Sequence, residues 1–213
     1  VRSRRQRQMC IRDSNMANTL KVTRKILENI VENTINEVMN EITAYHGTDA
    51  NFDNFDLAYM GTGAGKQDYG YGIYLSILPD GTQQYGKNAY TVEIPSDNKK
   101  YLIADKVYSP SFVNKLKNKL YQLIITQDDT YKGAEKELMQ DLNITFNDID
   151  GTSIYGSIET YLGSDKRTSE FLYSMGFIGL KYRNGKYENV VMFNPKDLSL
   201  IHISEPTRQE AIS

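Results

Sequence analysis

An α+β fold is predicted for this chain, because segments with helical periodicity and segments with strand periodicity occur in separate clusters rather than in regular alternation. The chain has 213 residues, of which 39% are hydrophobic and 24% are charged, as in ordinary globular domains. No apolar run approaches the roughly 18 residues that a membrane span needs, so no membrane partner is expected. The single cysteine excludes a disulfide scaffold, and a net charge of −2 gives no reason to expect nucleic acid.

The first predicted element is an N-terminal amphipathic helix within residues 15–43. Apolar residues recur at helical spacing between Val22 and Ile42, with Glu, Asn and Lys between them. A single domain over residues 44–200 is expected to follow, since this stretch contains no repeats and no low-complexity tract.

The strand patterns of this domain are short and are bounded by Gly, Pro or Asn residues. The predicted strands are Ala44–His46, Gly72–Ser76 (a strand or a buried turn), Ala89–Ile94, Tyr101–Ala104, Ile178–Tyr182, Tyr187–Phe193 and Leu198–Ile201. Residues 49–72 are rich in Asp, Asn and Gly and predict a loop. The Asn184-Gly185 pair predicts a hairpin with a type I′ turn.

Helical patterns lie between the two groups of strands. Pro110 opens a predicted helix that continues to Ile124, and Pro is favoured at the first position of a helix. Residues 132–143, 153–162 and 169–174 are predicted to be helical as well, with Met175-Gly176 as the stop of the last one.

The two ends of the chain differ from the middle in their basic residues. Residues 1–14 and 201–213 contain Arg but no Lys, whereas every Lys of the chain lies within 15–200. Both ends resemble translated sequencing-adapter read-through, as found in assembled metagenomes, and are expected to be foreign and disordered. No apolar core follows the first arginines, so a secretory signal peptide is not expected.

Excluding these ends leaves His46 as the only histidine and no cysteine. A metal site built from His and Cys is therefore excluded, as is any Ser-His-Asp triad that does not use His46. No metal is expected. The glycine-rich run Gly61–Lys66 is not a phosphate loop, because Met60 stands where the first Gly is needed and Gln67 stands where Ser or Thr is needed.

Four segments carry a family resemblance, and they occur in order along the chain. They are Tyr45-His46-Gly47-Thr48, Tyr69-Gly70-Tyr71-Gly72-Ile73-Tyr74, Tyr85, and Glu188 to Pro195. Tyr85 follows Tyr74 by eleven residues. The set resembles the ADP-ribosyltransferase superfamily of the diphtheria-toxin and poly(ADP-ribose) polymerase type. Residues 175–182, Met-Gly-Phe-Ile-Gly-Leu-Lys-Tyr, are similar to members in phage and mobile-element polyvalent proteins.

The resemblance implies a split antiparallel β-sheet core with flanking helices and NAD as co-substrate. It assigns Tyr74 and Tyr85 to the two sides of the nicotinamide ring, where aromatic stacking would hold it. It places the Gly47 backbone on the carboxamide and His46 on a ribose hydroxyl of NAD. The other expected NAD-binding residues are Thr48, Gly72 and Thr82.

The third catalytic position has two candidates, Glu188 and Asn189. Active relatives commonly have a Glu there, which holds the ribose 2′-hydroxyl and stabilises the developing cation. Aligning Phe193-Asn194-Pro195 with the family pattern puts Asn189 at this position. Neighbours in a regular strand point to opposite faces, so Glu188 would face the site only across a bulge.

The expected function is NAD-dependent mono-ADP-ribosyl transfer to a protein, with release of nicotinamide. His46, Tyr74 and either Glu188 or Asn189 would form the catalytic set. The acceptor would be a bacterial host protein, met in the host cytoplasm or in association with a phage. Two alternatives stay open: a catalytically inactive NAD-binding or phage structural module, and an NAD glycohydrolase that uses water as acceptor. A nucleotidase is a distant third.

Overall fold

The computed structural model describes residues 24–28, 31, 40–59, 68–127 and 131–204, with the backbone alone at 201–204. The chain divides into two compact units, residues 1–41 and residues 42–213. No helix in the described ranges is long and apolar enough to cross a membrane.

The first unit is described only in part. Arg24 to Glu28 is helical, and the Arg24 guanidinium pairs with the Glu28 carboxylate at 2.9 Å, one helical turn away. Most of the helix predicted within residues 15–43 lies outside the described residues. Its predicted end is wrong, because a strand already begins at Glu41.

The second unit contains a seven-stranded sheet, which confirms the α+β class and all seven predicted strands. The strands are β1 (Glu41–Thr48), β2 (Ile73–Ser76), β3 (Asn88–Pro95), β4 (Tyr101–Ile103), β5 (Gly179–Asn184), β6 (Tyr187–Met192) and β7 (Ser199–Ser204). Their order in the sheet is β4-β5-β6-β2-β1-β3-β7. The β1–β2, β2–β6, β5–β6 and β3–β7 pairs are antiparallel, and β4–β5 is parallel.

Four helices connect β4 to β5, as a parallel pair requires a crossover. They are α1 (Pro110–Gln127), α2 (Glu135–Thr145), α3 (Gly151–Leu162) and α4 (Asp165–Ser174). The four predicted helices are present, but α2 begins at Glu135, later than predicted, and α3 and α4 begin earlier than predicted because side chains cap them. Asp150 accepts from the Ser153 backbone N–H, and Ser164 accepts from that of Arg167.

The sheet separates two hydrophobic cores. The helices cover one face, which we call the helical face, and Leu102, Leu180 and Val191 point into it. The other face, the second face, carries Ala44, Ile73, Leu75, Val92, Ile94, Tyr101, Val190 and Met192. Residues i and i+2 of a strand point to the same face of the sheet. A strand residue that belongs to neither core is therefore assigned the face of the core residue two positions away.

The hairpin between β5 and β6 corrects the predicted turn. Asn184 pairs with Tyr187, so the two loop residues are Gly185 and Lys186 rather than Asn184 and Gly185. Gly185 has φ of 60°, and no other residue type in the described ranges has positive φ. A type I′ turn needs positive φ at both loop residues, whereas positive φ at the first alone is the pattern of type II′.

The C-terminal strand corrects a second expectation. Backbone pairing of β7 with β3 continues as far as Ala89 with Ser204. The disordered segment predicted to begin at residue 201 therefore does not include residues 201–204, whose backbone completes the strand. Residues 1–14 and 205–213 lie outside the described part of the chain.

Candidate functional site

The side chain of His46 on β1 makes a hydrogen bond to the backbone of β2. Its Nδ1 atom lies 2.8 Å from the backbone carbonyl oxygen of Tyr74. A carbonyl oxygen only accepts, so Nδ1 carries the proton of this hydrogen bond, and Nε2 of the neutral ring is left with a lone pair. Burial lowers the pKa of His46, although the bond to Tyr74 opposes this effect. The ring is therefore neutral near pH 7, with Nε2 as an acceptor.

The surroundings of the His46 ring are aromatic and belong to the second face. Phe55 meets the imidazole edge-on at 5.3 Å between ring centroids, and Phe55 packs against the second core. Phe52 stacks on Tyr90 at 4.2 Å beside it. This enclosure supplies the burial that lowers the histidine pKa.

Gly47 packs against the 3₁₀ turn Pro79–Thr82. A Cβ atom at Gly47 would collide with the Thr82 backbone carbonyl oxygen. The same oxygen accepts from the Tyr85 backbone N–H at 2.9 Å, so the turn also positions Tyr85. The Thr82 side chain is buried, and its hydroxyl donates to the Pro79 carbonyl at 2.8 Å. The absence of a side chain at Gly47 thus serves close packing of the turn on β1.

Two other predicted NAD-binding residues, Thr48 and Gly72, make contacts within the protein. The Thr48 hydroxyl accepts from the Ala50 backbone N–H at 3.2 Å. Gly72 is buried, and a Cβ there would collide with the Met192 carbonyl on β6. Both residues have local structural contacts that account for them.

The Tyr74 hydroxyl makes two internal hydrogen bonds, and the Tyr74 ring is half-buried. The hydroxyl donates to the Gly70 carbonyl at 2.8 Å and accepts from the Tyr69 backbone N–H at 3.1 Å. Burial is the main cause that raises the pKa of Tyr74 well above its usual value. The phenol therefore stays neutral and fixes the segment that leads into β2.

Tyr182 on β5 lies beside Tyr74 and is not among the predicted site residues. Its ring stacks on Tyr69 at 3.7 Å between centroids and meets the Tyr74 ring at 6.4 Å and 71°. Tyr85, with 42% of its surface exposed, is close enough that its charge would add to the burial that raises the Tyr182 pKa. These four tyrosines, Tyr69, Tyr74, Tyr85 and Tyr182, are called the tyrosine cluster below.

The two candidates for the third position lie on opposite faces of β6. Asn189 pairs with Ser76 on one side and with Tyr182 on the other, so its side chain is on the helical face with the tyrosine cluster. The β5–β6 ladder runs without a register shift, so no bulge turns Glu188 toward this face. Of the two, Asn189 is the residue that shares a face with Tyr74.

Glu188 instead lies on the second face near Lys181. Lys181 is buried, its Nζ donates to the Asn98 side-chain oxygen at 2.8 Å, and it lies 4.3 Å over the Tyr101 ring. Burial lowers the pKa of Lys181, and the nearby Glu188 carboxylate opposes that shift. The Glu188 carboxylate thus favours the charged form of the buried Lys181 side chain.

The structure therefore brings Gly47, Tyr74, Thr82, Tyr85 and Asn189 together on one side of β2, and it adds Tyr69 and Tyr182. His46 is joined to this group through the Tyr74 carbonyl, with its ring on the other face. Gly61–Lys66 lies outside the described residues. Among the residues that are described, no group of three or more His, Cys, Asp or Glu side chains could hold a metal ion.

Comparison with known proteins gives little further guidance. No family model matches the chain, and no curated protein matches it. The chain is similar to a solved structure described as the crystal structure of an anti-CRISPR protein. The identity is 9% and the TM-score 0.33, over 76% of this chain and 96% of that chain. At this level the likeness supports no conclusion about fold or function.

Proposed function

We propose that residues 44–200 bind NAD and transfer ADP-ribose to a protein side chain, with release of nicotinamide. The observation that carries the proposal is the convergence on β2 of segments distant in sequence. Strand β1, the Pro79–Thr82 turn and the β6 residue Asn189 all contact the strand that holds Tyr74. The finer fold assignment, an ADP-ribosyltransferase-like split antiparallel core, is part of the same proposal.

The tyrosine cluster suits a flat aromatic ring. The exposed Tyr85 ring offers a face for stacking, and the half-buried Tyr74 ring is held rigid by its two hydrogen bonds. Offset or edge-to-face contacts between such rings are favourable. Nicotinamide is the NAD fragment that would fit between them.

The polar groups suit a ribose. The Asn189 amide oxygen on the helical face would accept a hydrogen bond from a ribose hydroxyl. The His46 ring lies on the second face, so His46 would act on this site through its hydrogen bond to the Tyr74 carbonyl. In the reaction, the bond between ribose and nicotinamide breaks and both bonding electrons leave with the ring nitrogen. A side chain of the acceptor then attacks the cationic ribose carbon and loses its proton to solvent.

An amide at position 189 supplies no negative charge to this cation. We therefore expect slow transfer of a single ADP-ribose and no chain elongation, since preorganised charge is usually a large part of such catalysis. The acceptor is proposed to be a bacterial host protein, met in the host cytoplasm or in association with a phage.

The test is to incubate the full chain with NAD and bacterial lysate while following free nicotinamide and protein-bound ADP-ribose. Release of nicotinamide with labelling of protein supports the proposal, and Tyr85→Ala should reduce both. Tyr173→Ala, which removes a partly exposed tyrosine from α4, is the matched control and should change neither. Absence of NAD binding by the unmodified chain would overturn the proposal.

A catalytically inactive NAD-binding module is the second candidate, and the position of Glu188 favours it. With Glu188 on the second face, β6 brings no carboxylate to the tyrosine cluster. In the same assay, NAD binding without any nicotinamide release identifies this alternative. Nicotinamide release without labelled protein, unchanged by lysates from several bacteria, identifies a glycohydrolase.

A further inference from the structure

Tyr182 differs from the other tyrosines whose pKa burial raises most. These are Tyr74, Tyr101, Tyr155 and Tyr182. Tyr74 bonds to Gly70, Tyr101 donates to the Pro95 carbonyl at 2.6 Å, and Tyr155 donates to the Asp165 carbonyl at 3.1 Å. The Tyr182 hydroxyl makes no hydrogen bond to any residue in the described part of the chain. The Tyr182 oxygen is not among the buried side-chain atoms that lack a partner, so it stays accessible and can bond a ligand in place of water.

The ring of Tyr182 is fixed while its hydroxyl is left available. One ring face is covered by Tyr69 at 3.7 Å with only 13° between planes, and the Tyr74 ring lies near-perpendicular beside it. Stacking of this kind restricts the phenol to one orientation without using its oxygen. Tyr182 therefore offers a ligand its hydroxyl rather than an open ring face, unlike the exposed Tyr85.

The position of Tyr182 in the ladder sets what that hydroxyl can reach. Tyr182 pairs directly with Asn189, and opposite residues of an antiparallel pair have Cβ atoms roughly 4.5–5.5 Å apart on the same face. A group held by the Asn189 amide is thus also within reach of a side chain on Tyr182. Burial raises the Tyr182 pKa, so the phenol remains a hydrogen-bond donor throughout the physiological pH range.

We propose that Tyr182 is a substrate-binding residue whose hydroxyl donates to a hydroxyl of the nicotinamide-side ribose of NAD, next to Asn189. This inference rests on the proposed function, and it adds a donor hydroxyl to the ribose site. The Tyr74 oxygen is already held by Gly70 and Tyr69, so it contributes its ring alone. The ribose site then consists of an amide and a phenol on adjacent strands.

The test compares Tyr182→Phe with the unmodified full chain by calorimetric titration with NAD, ADP-ribose and nicotinamide. Loss of one hydrogen bond should weaken binding of NAD and of ADP-ribose about 3- to 10-fold and leave nicotinamide binding unchanged. Tyr121→Phe removes the hydroxyl of another half-buried tyrosine that packs on the helical core from α1, and it should change none of the three.

Each contrary result has a distinct meaning. Unchanged NAD affinity in Tyr182→Phe overturns the assignment of Tyr182 while the proposed function stands. Weaker nicotinamide binding overturns the ribose assignment, because the hydroxyl would then face the base. A melting temperature lowered by several degrees shows a partner within the protein and also overturns it. Failure of the unmodified chain to bind NAD overturns the proposed function, and this inference with it.

Discussion

The Nδ1 atom of His46 lies 2.8 Å from the Tyr74 carbonyl oxygen, so the only histidine with described surroundings is tied to the strand that carries the central tyrosine. This bond fixes both the tautomer and the orientation of the imidazole. It also connects the two faces of the sheet, because the His46 ring lies among Phe52, Phe55 and Tyr90 while the Tyr74 ring lies on the helical face. Protonation of His46 at Nε2 would leave this bond in place and put a positive charge among the aromatic rings.

The first prediction concerns stability against pH. Burial lowers the pKa of His46 in the folded chain below its unfolded value of about 6.5. The unfolded chain therefore binds the extra proton more readily, and stability is full above about pH 6.5 and falls as the pH drops toward the folded pKa. Urea unfolding at pH 7.5 and pH 5.5 should show a larger loss for the natural chain than for His46→Gln. His202 is present in both proteins and cancels; equal losses would contradict the prediction.

The second prediction separates two tyrosine hydroxyls of the cluster. Tyr74→Phe removes a donor to Gly70 and an acceptor for Tyr69, and it should lower the free energy of unfolding by about 1–2 kcal/mol. Tyr85→Phe should leave stability unchanged, because its side chain is exposed and only its backbone N–H is bonded. Denaturant titration of both variants is the measurement, and an unchanged free energy of unfolding in Tyr74→Phe would contradict the prediction.

The third prediction uses the opposite orientations of Glu188 and Asn189. Asn189→Ala should reduce nicotinamide release, and Glu188→Gln should not, since Glu188 lies by Lys181 on the second face. Asn189→Glu should increase the rate by adding a carboxylate where the ribosyl cation develops. The measurement is initial nicotinamide release at saturating NAD. A rate lost in Glu188→Gln and unchanged in Asn189→Ala would reverse the assignment.

The elements that the sequence predicted well are those set by local rules. Apolar spacing and Pro110 predicted α1, and alternation predicted β3 and the β5–β6 hairpin. The turn of that hairpin was wrong by one residue, because register depends on how Asn184 and Tyr187 pair and not on the Asn-Gly dipeptide alone. The start of β1 at Glu41 was missed as well, since helical spacing in the sequence continues through Ile42.

The candidate site depends on pairing between distant strands, which the sequence does not contain. Family resemblance gave Tyr74, Tyr85 and Asn189, but nothing indicated that Thr82 and Gly72 would be held by internal packing. Tyr182 was missed because its relevance comes from its register with Asn189. A loop placed at Gly185-Lys186 could have indicated it, since the third residue before a two-residue hairpin loop pairs with the third residue after it.

The final prediction concerns the contact between Gly47 and the Pro79–Thr82 turn. In Gly47→Ala, the new methyl group would collide with the Thr82 carbonyl oxygen, so the turn has to move. Overpacking of this kind costs about 1–3 kcal/mol of stability. It should also weaken NAD binding, because the displaced carbonyl is the one that holds the Tyr85 backbone.

Gly156→Ala is the matched control for this change. Gly156 lies in the interior of α3, and a Cβ there has no atom within 4 Å. Alanine is favoured over glycine inside a helix, so this variant should gain about 0.5–1 kcal/mol and bind NAD as before. We expect the melting temperature to fall in Gly47→Ala and to rise in Gly156→Ala, with NAD affinity reduced only in Gly47→Ala. This result would show that the site depends on the close approach of β1 to the turn. If Gly47→Ala is destabilised but keeps its NAD affinity, the position of the turn does not affect NAD binding.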